Sequence, residues 1–511
     1  MELKRLKEDK YLWILIALSF IFIVYWALFS NYRYVTYTSQ YYDVGVEAYS
    51  LFWHIHGLQY YPNLLDYIVF TNHLSPFSIL LLPFFALYPH PTTFFLIEYI
   101  FLAMSSILVY FIADELLKSR KIGFAMAFAF LINPATTGLT LFDFHLESLA
   151  VFFYILTFYF YMKERKLYFV ISFILLLSLY DVEPIVGATL LVALLFYELF
   201  YNRKSKGVER AAFKKRLTFI GIGLLLAVIF TGFYSQVATY IIKSYAYTSN
   251  SAMVPIQRIK NYLSEQVSVL AGATAVKYSN STIINGSILG LVVFFFGFGI
   301  TSVFNPILSL LLYSPWLLEV LVVHNTVFLN PYNQYYSFAL GGSVVSTILG
   351  FLIIIKKKKK ILNLEIYDIK KYENIFALGI IFIALILFIV LSTIISNLYL
   401  LNYAAQLNYS QINQALTLIP TNATVMAQPQ IAAHLYYIHN LELPPIDEAT
   451  WFVPVGVSVY WTQPDYIITD KNLQQYNGLV NSSTFNINNY TNENYTIIYN
   501  ESGINIFKRI G

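Results

Sequence analysis

Residues 11–30 read YLWILIALSFIFIVYWALFS, twenty side chains with no charge among them. Coiled as an α-helix at about 1.5 Å per residue, such a run is about 30 Å long, the thickness of a bilayer's hydrocarbon core. No small-residue cleavage pattern follows before the polar segment that starts at Asn31, so the run is expected to remain as a span rather than be removed as a signal peptide. The same reading carried along the chain gives ten more spans, at 93–117, 122–139, 145–162, 167–181, 184–201, 217–236, 288–305, 306–323, 334–355 and 375–398. Composition agrees. Of 511 residues 58% are hydrophobic and 12% charged, and mean hydropathy is +0.60, whereas soluble domains carry about 25% charged residues. The expected fold class is therefore a polytopic α-helical membrane protein of about eleven spans, and a soluble single-domain enzyme is excluded. A net charge of +4 leaves no basic footprint for nucleic acid. The absence of cysteine excludes disulfides, thiolate catalysis and Cys-ligated metals.

Orientation follows from Lys and Arg, which favour the cytoplasmic side. They cluster at 4–10, 118–121, 163–166, 203–216 and 356–371, which together hold 24 of the 32. Eleven crossings put all five clusters inside, with the N-terminus cytoplasmic and the C-terminus extracytoplasmic in a multi-pass cell-membrane protein. Residues 31–92 and 237–287 are then outer loops. The stretch LSPFSILLLPFFALYPH (74–90) is apolar enough to cross, but a crossing there would reverse every later cluster. Pro76, Pro83 and Pro89 also interrupt it. It reads as a juxtamembrane or re-entrant helix on the outer face.

The boundary near 398/399 separates the membrane domain, 1–398, from a polar, Asn- and Tyr-rich region, 399–511. In that region TVMAQ (424–428), PDYIITD (464–470), NYTIIY (494–499) and GINIFKRI (503–510) read as strands. PQIAAHLYYIHN (429–440) and NLQQYNGLV (472–480) read as helices, which makes a small α/β domain. It carries N-x-[ST] glycosylation sequons at Asn408, Asn422, Asn481, Asn489, Asn494 and Asn500, with two more at Asn280 and Asn285 in the second outer loop. All eight fall where the charge rule places the exterior. This exterior, low in charge and free of cysteine, reads as an archaeal surface.

Acids near hydrocarbon are costly and mark function. Three outer tips carry them: Asp43 and Glu47, then Asp143 and Glu147 about His145, then Asp181 and Glu183. In an extended LFDFHLE segment (141–147), period two puts Asp143, His145 and Glu147 on one side, a donor set suited to Mg²⁺, Mn²⁺ or Zn²⁺. The plain alternatives are that Asp143 caps the following helix, that Asp181 and Glu183 with Pro184 form an ordinary helix start, and that Asp43 is a turn residue before Gly45. Glu98 and Glu319 lie just inside their spans, as buried hydrogen-bonding groups or as site residues. His73, before the re-entrant helix, is a candidate to meet a lipid phosphate. So are the outer cations Arg258 and Lys260, among Arg33, Lys243 and Lys277, whose alternative is plain solvation.

These residues also carry a resemblance. YDVGVEAYSLFWHIHG, NHLSPFSILLLPFFALYP, NPATTGLTLFDFHLESLAV, YDVEP, IPTNATVMAQPQIAAHLYYIHN and PDYIITD together resemble the prokaryotic membrane family called domain of unknown function 2079. That family is similar in layout to the C-type (GT-C) glycosyltransferases, which use sugars carried on polyprenyl phosphate. The resemblance implies a GT-C-like fold, a polyprenyl-phosphate-linked sugar donor held against membrane lipid, and a glycan, lipid or protein acceptor. It implies Asp43 as the catalytic base and Asp143, with His145 and Glu147, as metal or acceptor ligands. Asp181, Glu183 and Glu47 would support them, with Mg or Mn as a cofactor. The other classes in view are a transporter, against which stands the lack of an internal repeat, and a non-enzymatic surface protein, for which eleven spans are more than anchoring needs.

Overall fold

The computed structural model describes residues 8–39, 44–56, 75–203, 206–245, 289–318, 334–357, 368–395, 409–438, 440–442, 464–470, 473 and 494–510. Asp43, His73, Arg258, Lys260, Glu319, Asn280, Asn285, Asn408, Asn481, Asn489 and all but one residue of the helix expected at 472–480 lie outside them. The chain is mostly helical, with a small C-terminal sheet. By contacts it divides into two compact units. Unit 1 takes its described residues from 8–26, 96–234 and 289–394. Unit 2 takes them from 27–95, 235–245 and 409–510.

Unit 1 is a helical membrane body. Among the described residues seven helices are long and apolar enough to cross a bilayer. They are α1 (Lys10–Val35), α4 (Thr92–Leu117), α5 (Arg120–Leu131) continued by α6 (Pro134–Leu141), α9 (Glu183–Tyr197) continued by a π-helical turn (Glu198–Asn202), α10 (Gly207–Tyr245), α12 (Ser337–Lys356) and α13 (Ile369–Ile395). Among the other expected spans, 167–181 ends early and 288–305 is interrupted. The run 145–162 is α7 (Leu146–Met162), 167–181 is α8 ending at Leu177 (Lys166–Leu177), and 306–323 is described as α11 (Pro306–Leu318). The run 288–305 is not one helix. Residues 289–296 are helical, the chain turns at Gly297–Gly299, and a 3-10 turn follows at Ile300–Phe304. Glycine is needed there. Gly299 has φ +112°, and a Cβ on Gly297 would lie 2.4 Å from both the Asn133 amide and the Val293 carbonyl. Between α5 and α6 the chain bends at Asn133-Pro134, where the Asn133 side chain accepts from the Ala135 N–H at 2.9 Å.

Within unit 1, α12 is the central helix: 89% of its apolar window is buried, against 22% for α1 and α13. Small residues let neighbours approach it closely, with Gly342 against the Leu312 backbone and Gly350 against that of Thr301. One end of the unit is tied by charge. Arg120 pairs with Asp9 at 3.2 Å, Lys121 with Glu373 at 2.8 Å and Arg216 with Glu198 at 2.8 Å and Glu164 at 3.3 Å. Lys163 pairs with Glu115, and Lys356 donates to Asn202. The helix ends beside all five basic clusters meet in this network. The tips carrying Asp143, Glu147 and Glu183 stand at the opposite ends of their helices.

Unit 2 joins the sheet to residues of the first loop. Strands β1 (Thr424–Ala427), β2 (Asn440–Glu442), β3 (Tyr466–Asp470), β4 (Tyr495–Glu501) and β5 (Ile504–Arg509) form one sheet in the order β2-β1-β3-β5-β4. β1 is parallel to β2 and β3, while β3, β5 and β4 run antiparallel. Four strands fall on the stretches expected from sequence; β2, three residues long, carries too short a pattern to be read. β3 is buried at every residue, as a strand covered on both faces must be. The β4–β5 hairpin turns at Ser502 and Gly503, both with positive φ, the geometry that matches the strands' twist. The helix expected at 429–440 stops at Ala432 (α15, Pro429–Ala432), and α14 (Tyr409–Leu416) precedes β1. The core gathers Val425, Ile431, Ile468 and Ile506 with Tyr37, Val46 and Tyr49. The last two belong to α2 (Val46–Ile55), so the first loop is built into the α/β core. Residues 76–87 form a 3-10 turn (Pro76–Leu81) and then α3 (Leu82–Leu87). These two six-residue pieces reach at most about 20–25 Å, short of a crossing.

Candidate functional site

At the end of unit 1 away from the ion-pair network, three helix junctions deliver carboxyls. Glu98 comes from the second turn of α4, Asp143 and Glu147 from the link between α6 and α7, and Glu183 from the first residue of α9. All are buried, with exposures of 1%, 4%, 3% and 0%. The carboxyls interact through charge. Glu98 lies in reach of His145, Asp143 and Glu147, and Glu183 in reach of Glu147 and Asp181. The unit thus brings together the second and third tips that the sequence marks, and adds Glu98.

Local geometry decides what each group can do. Phe142 and His145 have extended dihedrals (ψ 168° and φ −140°), and α7 starts at Leu146. The expected period-two face therefore holds for Asp143 and His145 only, and Glu147 sits in the first helical turn. His145 is the N-cap residue and makes no side-chain cap bond; its Nδ1 lies 2.9 Å from the Asp143 carbonyl oxygen. Asp143 thus does not take the N-cap position that the plain reading gave it. Ser148 donates to the His145 carbonyl at 2.7 Å and neighbours the Glu98 carboxyl. At α9 the N-cap is Val182, again without a side-chain cap bond. Both Glu183 carboxyl oxygens, one oxygen each of Glu98 and Glu147, and the Tyr154 hydroxyl are buried without a hydrogen-bond partner among the described residues. A buried ionised carboxylate in that state costs far more than a paired one, so each group is neutralised by a proton or met by a ligand.

Among the described residues no group of three or more His, Asp or Glu is arranged to hold a metal ion. Asp43, the first-tip acid, lies outside them. Glu47 is half-buried in the first turn of α2, in unit 2. Of the sequons, Asn422, Asn494 and Asn500 are described, and all three are exposed. Sequence reasoning passed over Tyr154, which lies within charge reach of Glu183 and Tyr313. A tyrosine in mid-helix among 44 tyrosines gives no local signal. Glu98 did give one, being an acid inside an apolar run.

No curated protein matches this sequence. The model of one family, described as a predicted membrane protein (DUF2079), matches residues 20–506. Covering nearly the whole chain, that match shows that the protein belongs to the DUF2079 family of membrane proteins.

Proposed function

We propose that the chain is a GT-C-like glycosyltransferase that moves a sugar from a polyprenyl-phosphate donor to an acceptor hydroxyl at the outer boundary of the cell membrane. The observation that supports this reading is the carboxyl cluster. Four buried carboxyls and an imidazole gather at one end of a membrane body, where a lipid-borne sugar would present its reacting carbon. In the reaction the acceptor oxygen bonds to the anomeric carbon, the bond from that carbon to the phosphate oxygen breaks, and a carboxylate takes the acceptor's proton. Asp43 is assigned the base by the family layout. Asp143, His145 and Glu147 hold the acceptor, with Asp181, Glu183 and Glu47 in support. His73, Arg258 and Lys260 are assigned to the donor phosphate, whose leaving charge needs cations. The described residues do not form a divalent-metal site by themselves, and no step is routed through a metal.

The test is consumption of a polyprenyl-phosphate-linked sugar by the purified full chain, with and without EDTA. Turnover is expected. Loss of turnover in EDTA, restored by Mg²⁺ or Mn²⁺, would add a metal to the site. Absence of turnover across donors and acceptors, with folded protein, overturns the transferase.

A further inference from the structure

The two edges of the unit 2 sheet differ. β2 is three residues long, too short to template another strand. β4 has seven residues and closes the order β2-β1-β3-β5-β4, so among the described residues a strand pairs it on the β5 side only. An open edge of that length invites pairing with another chain, and proteins guard such edges with Lys, Pro, a bulge or a covering element. The run YTIIYN (495–500) holds neither Lys nor Pro, and no charge precedes Glu501. Ile497 is 54% exposed and Ile498 40%. The register shifts between Ile497 and Tyr499, which leaves Ile498 out of the pairing with β5. A bulge bends its strand, but the residue this one sets apart is itself apolar. An uncharged segment of high β-propensity on an open edge is an aggregation hazard.

Two glycosylation sequons flank this run. Asn494-Tyr495-Thr496 enters β4, and Asn500-Glu501-Ser502 leaves it for the hairpin turn. Asn494, Thr496, Asn500 and Ser502 are all exposed, so a modifying enzyme can reach each amide and the hydroxyl that completes its sequon. The Asn494 carbonyl accepts from the Ile510 N–H at 2.8 Å, which pins the start of the strand while leaving the side chain outside. The two asparagines are at most about 20 Å apart along the strand, at about 3.3 Å per residue. A glycan is bulky and solubilising. One at each end overhangs the isoleucines between them and blocks the approach of a second strand. Asn422, the third described sequon, is also exposed but stands in the turn before β1, a strand inside the sheet.

We propose that Asn494 and Asn500 carry N-linked glycans that shield the open edge of β4 and keep unit 2 from associating through it. The sugar comes from a lipid-phosphate-linked oligosaccharide, moved by a separate enzyme of the cell. The asparagine amide nitrogen bonds to the anomeric carbon, and the bond from that carbon to the phosphate oxygen breaks. The phosphate leaves with the electron pair, and one amide proton passes to a base of that enzyme. Each side chain ends with one N–H and one sugar. This inference does not rest on the transferase reading of the chain itself; it needs only that unit 2 faces the exterior.

The full chain is purified in detergent from membranes of a cell that N-glycosylates its surface proteins, and peptides holding Asn422, Asn494 and Asn500 are weighed by mass spectrometry. Glycan mass is expected on Asn494 and Asn500. Size-exclusion chromatography with light scattering then compares variants. Asn494→Gln with Asn500→Gln is expected to lose both glycans and at least double the mass of the particle. Thr496→Ala with Ser502→Gly keeps the asparagines, removes the sequons and is expected to do the same. Adding Ile497→Lys and Ile498→Lys to either pair is expected to restore the wild-type state. Bare Asn494 and Asn500 in the wild type overturn the proposal; a glycan on Asn422 in that protein would show that the exterior placement stands and the edge reading fails. Wild-type particle mass in both sequon-free variants overturns it too. So does a glycosylated wild type that associates and is dispersed by Ile497→Lys, because the edge is then an interface. If one pair of substitutions prevents folding, the other pair and the wild-type masses decide the result.

Discussion

Glu183 presents the sharpest conflict at the scale of single residues. It is fully buried at the start of α9, and neither carboxyl oxygen has a hydrogen-bond partner among the described residues. Leaving a buried polar group unsatisfied costs about 1–3 kcal/mol. Glu183→Leu is therefore expected to raise the thermal midpoint of the detergent-solubilised protein while abolishing turnover; a lowered midpoint would show that the carboxyl holds the fold together. Asp43 is expected to behave differently. Asp43→Asn keeps the shape, removes the charge and, if the residue is the base, lowers the transfer rate by about 10²–10⁴ with the midpoint unchanged. Full turnover in that variant removes the base assignment. In unit 2, His434 is stacked between Tyr34 and Tyr37, with ring centroids 4.1 and 3.9 Å away, and its Nε2 is 2.9 Å from the Tyr34 carbonyl oxygen. Burial pushes its pKa down from 6.5 to about 3. Between those values the unfolded state binds a proton that the folded state refuses. Stability is thus complete above about pH 6.5 and falls as the pH drops toward 3, by up to about 1.4 kcal/mol per pH unit for one proton. Protease resistance of unit 2 in urea, compared at pH 5 and pH 7.5, measures this, and His434→Gln is expected to flatten the difference.

Among the elements, α12 depends most on close approach. A Cβ on Gly350 would lie 2.1 Å from the Thr301 carbonyl oxygen and 2.5 Å from its carbonyl carbon. These are backbone atoms of the 3-10 turn that replaces the broken helix, and no side-chain rotation clears them. Gly350→Ala is expected to destabilise unit 1 by about 1–3 kcal/mol, seen as a lowered thermal midpoint; a midpoint equal to wild type would show that the turn shifts freely. Gly379, which has open space around its Cβ position, provides the control Gly379→Ala, and there no loss is expected. The elements at 76–87 show the opposite case. Phe77, Leu81 and Phe85 are buried on one face while Ile79, Phe84 and Leu87 stay exposed. A short helix apolar on both faces suits the membrane boundary, and Pro76–Leu87 is shorter than the helices long enough to span.

For the molecule as a whole, the ion-pair network gathers the helix ends of all five basic clusters, and from the charge rule we expect that end to be cytoplasmic. Because the chain has no cysteine, single introduced thiols report sidedness cleanly. Lys508→Cys, exposed on β5, is expected to react with an impermeant maleimide on intact cells. Lys371→Cys, exposed near the start of α13, is expected to react only after the membrane is opened. The reverse pattern would turn the whole topology over and move the carboxyl cluster to the cytoplasmic side.

Hydropathy and charge are local properties, and what they govern was legible along the chain. The run 11–30, the basic clusters and four of the five strands could each be read from a few neighbouring residues, because each reflects the solvent its own segment meets. Three things could not. The break at Gly297–Gly299 reads as uninterrupted apolar sequence, since hydropathy does not register a backbone that needs glycine where it passes Asn133 and its own preceding turn. The entry of Val46 and Tyr49 into the sheet's core joins residues hundreds of positions apart, which no local pattern encodes. The acids at 143–147 and 181–183 were visible as helix-end residues, but the burial of Asp143 and Glu147 beside Glu98, and the burial of Glu183 without a hydrogen-bond partner among the described residues, arise only when α4, α7 and α9 pack together. Burial is a property of the neighbours a group acquires, and those neighbours are chosen by the tertiary fold.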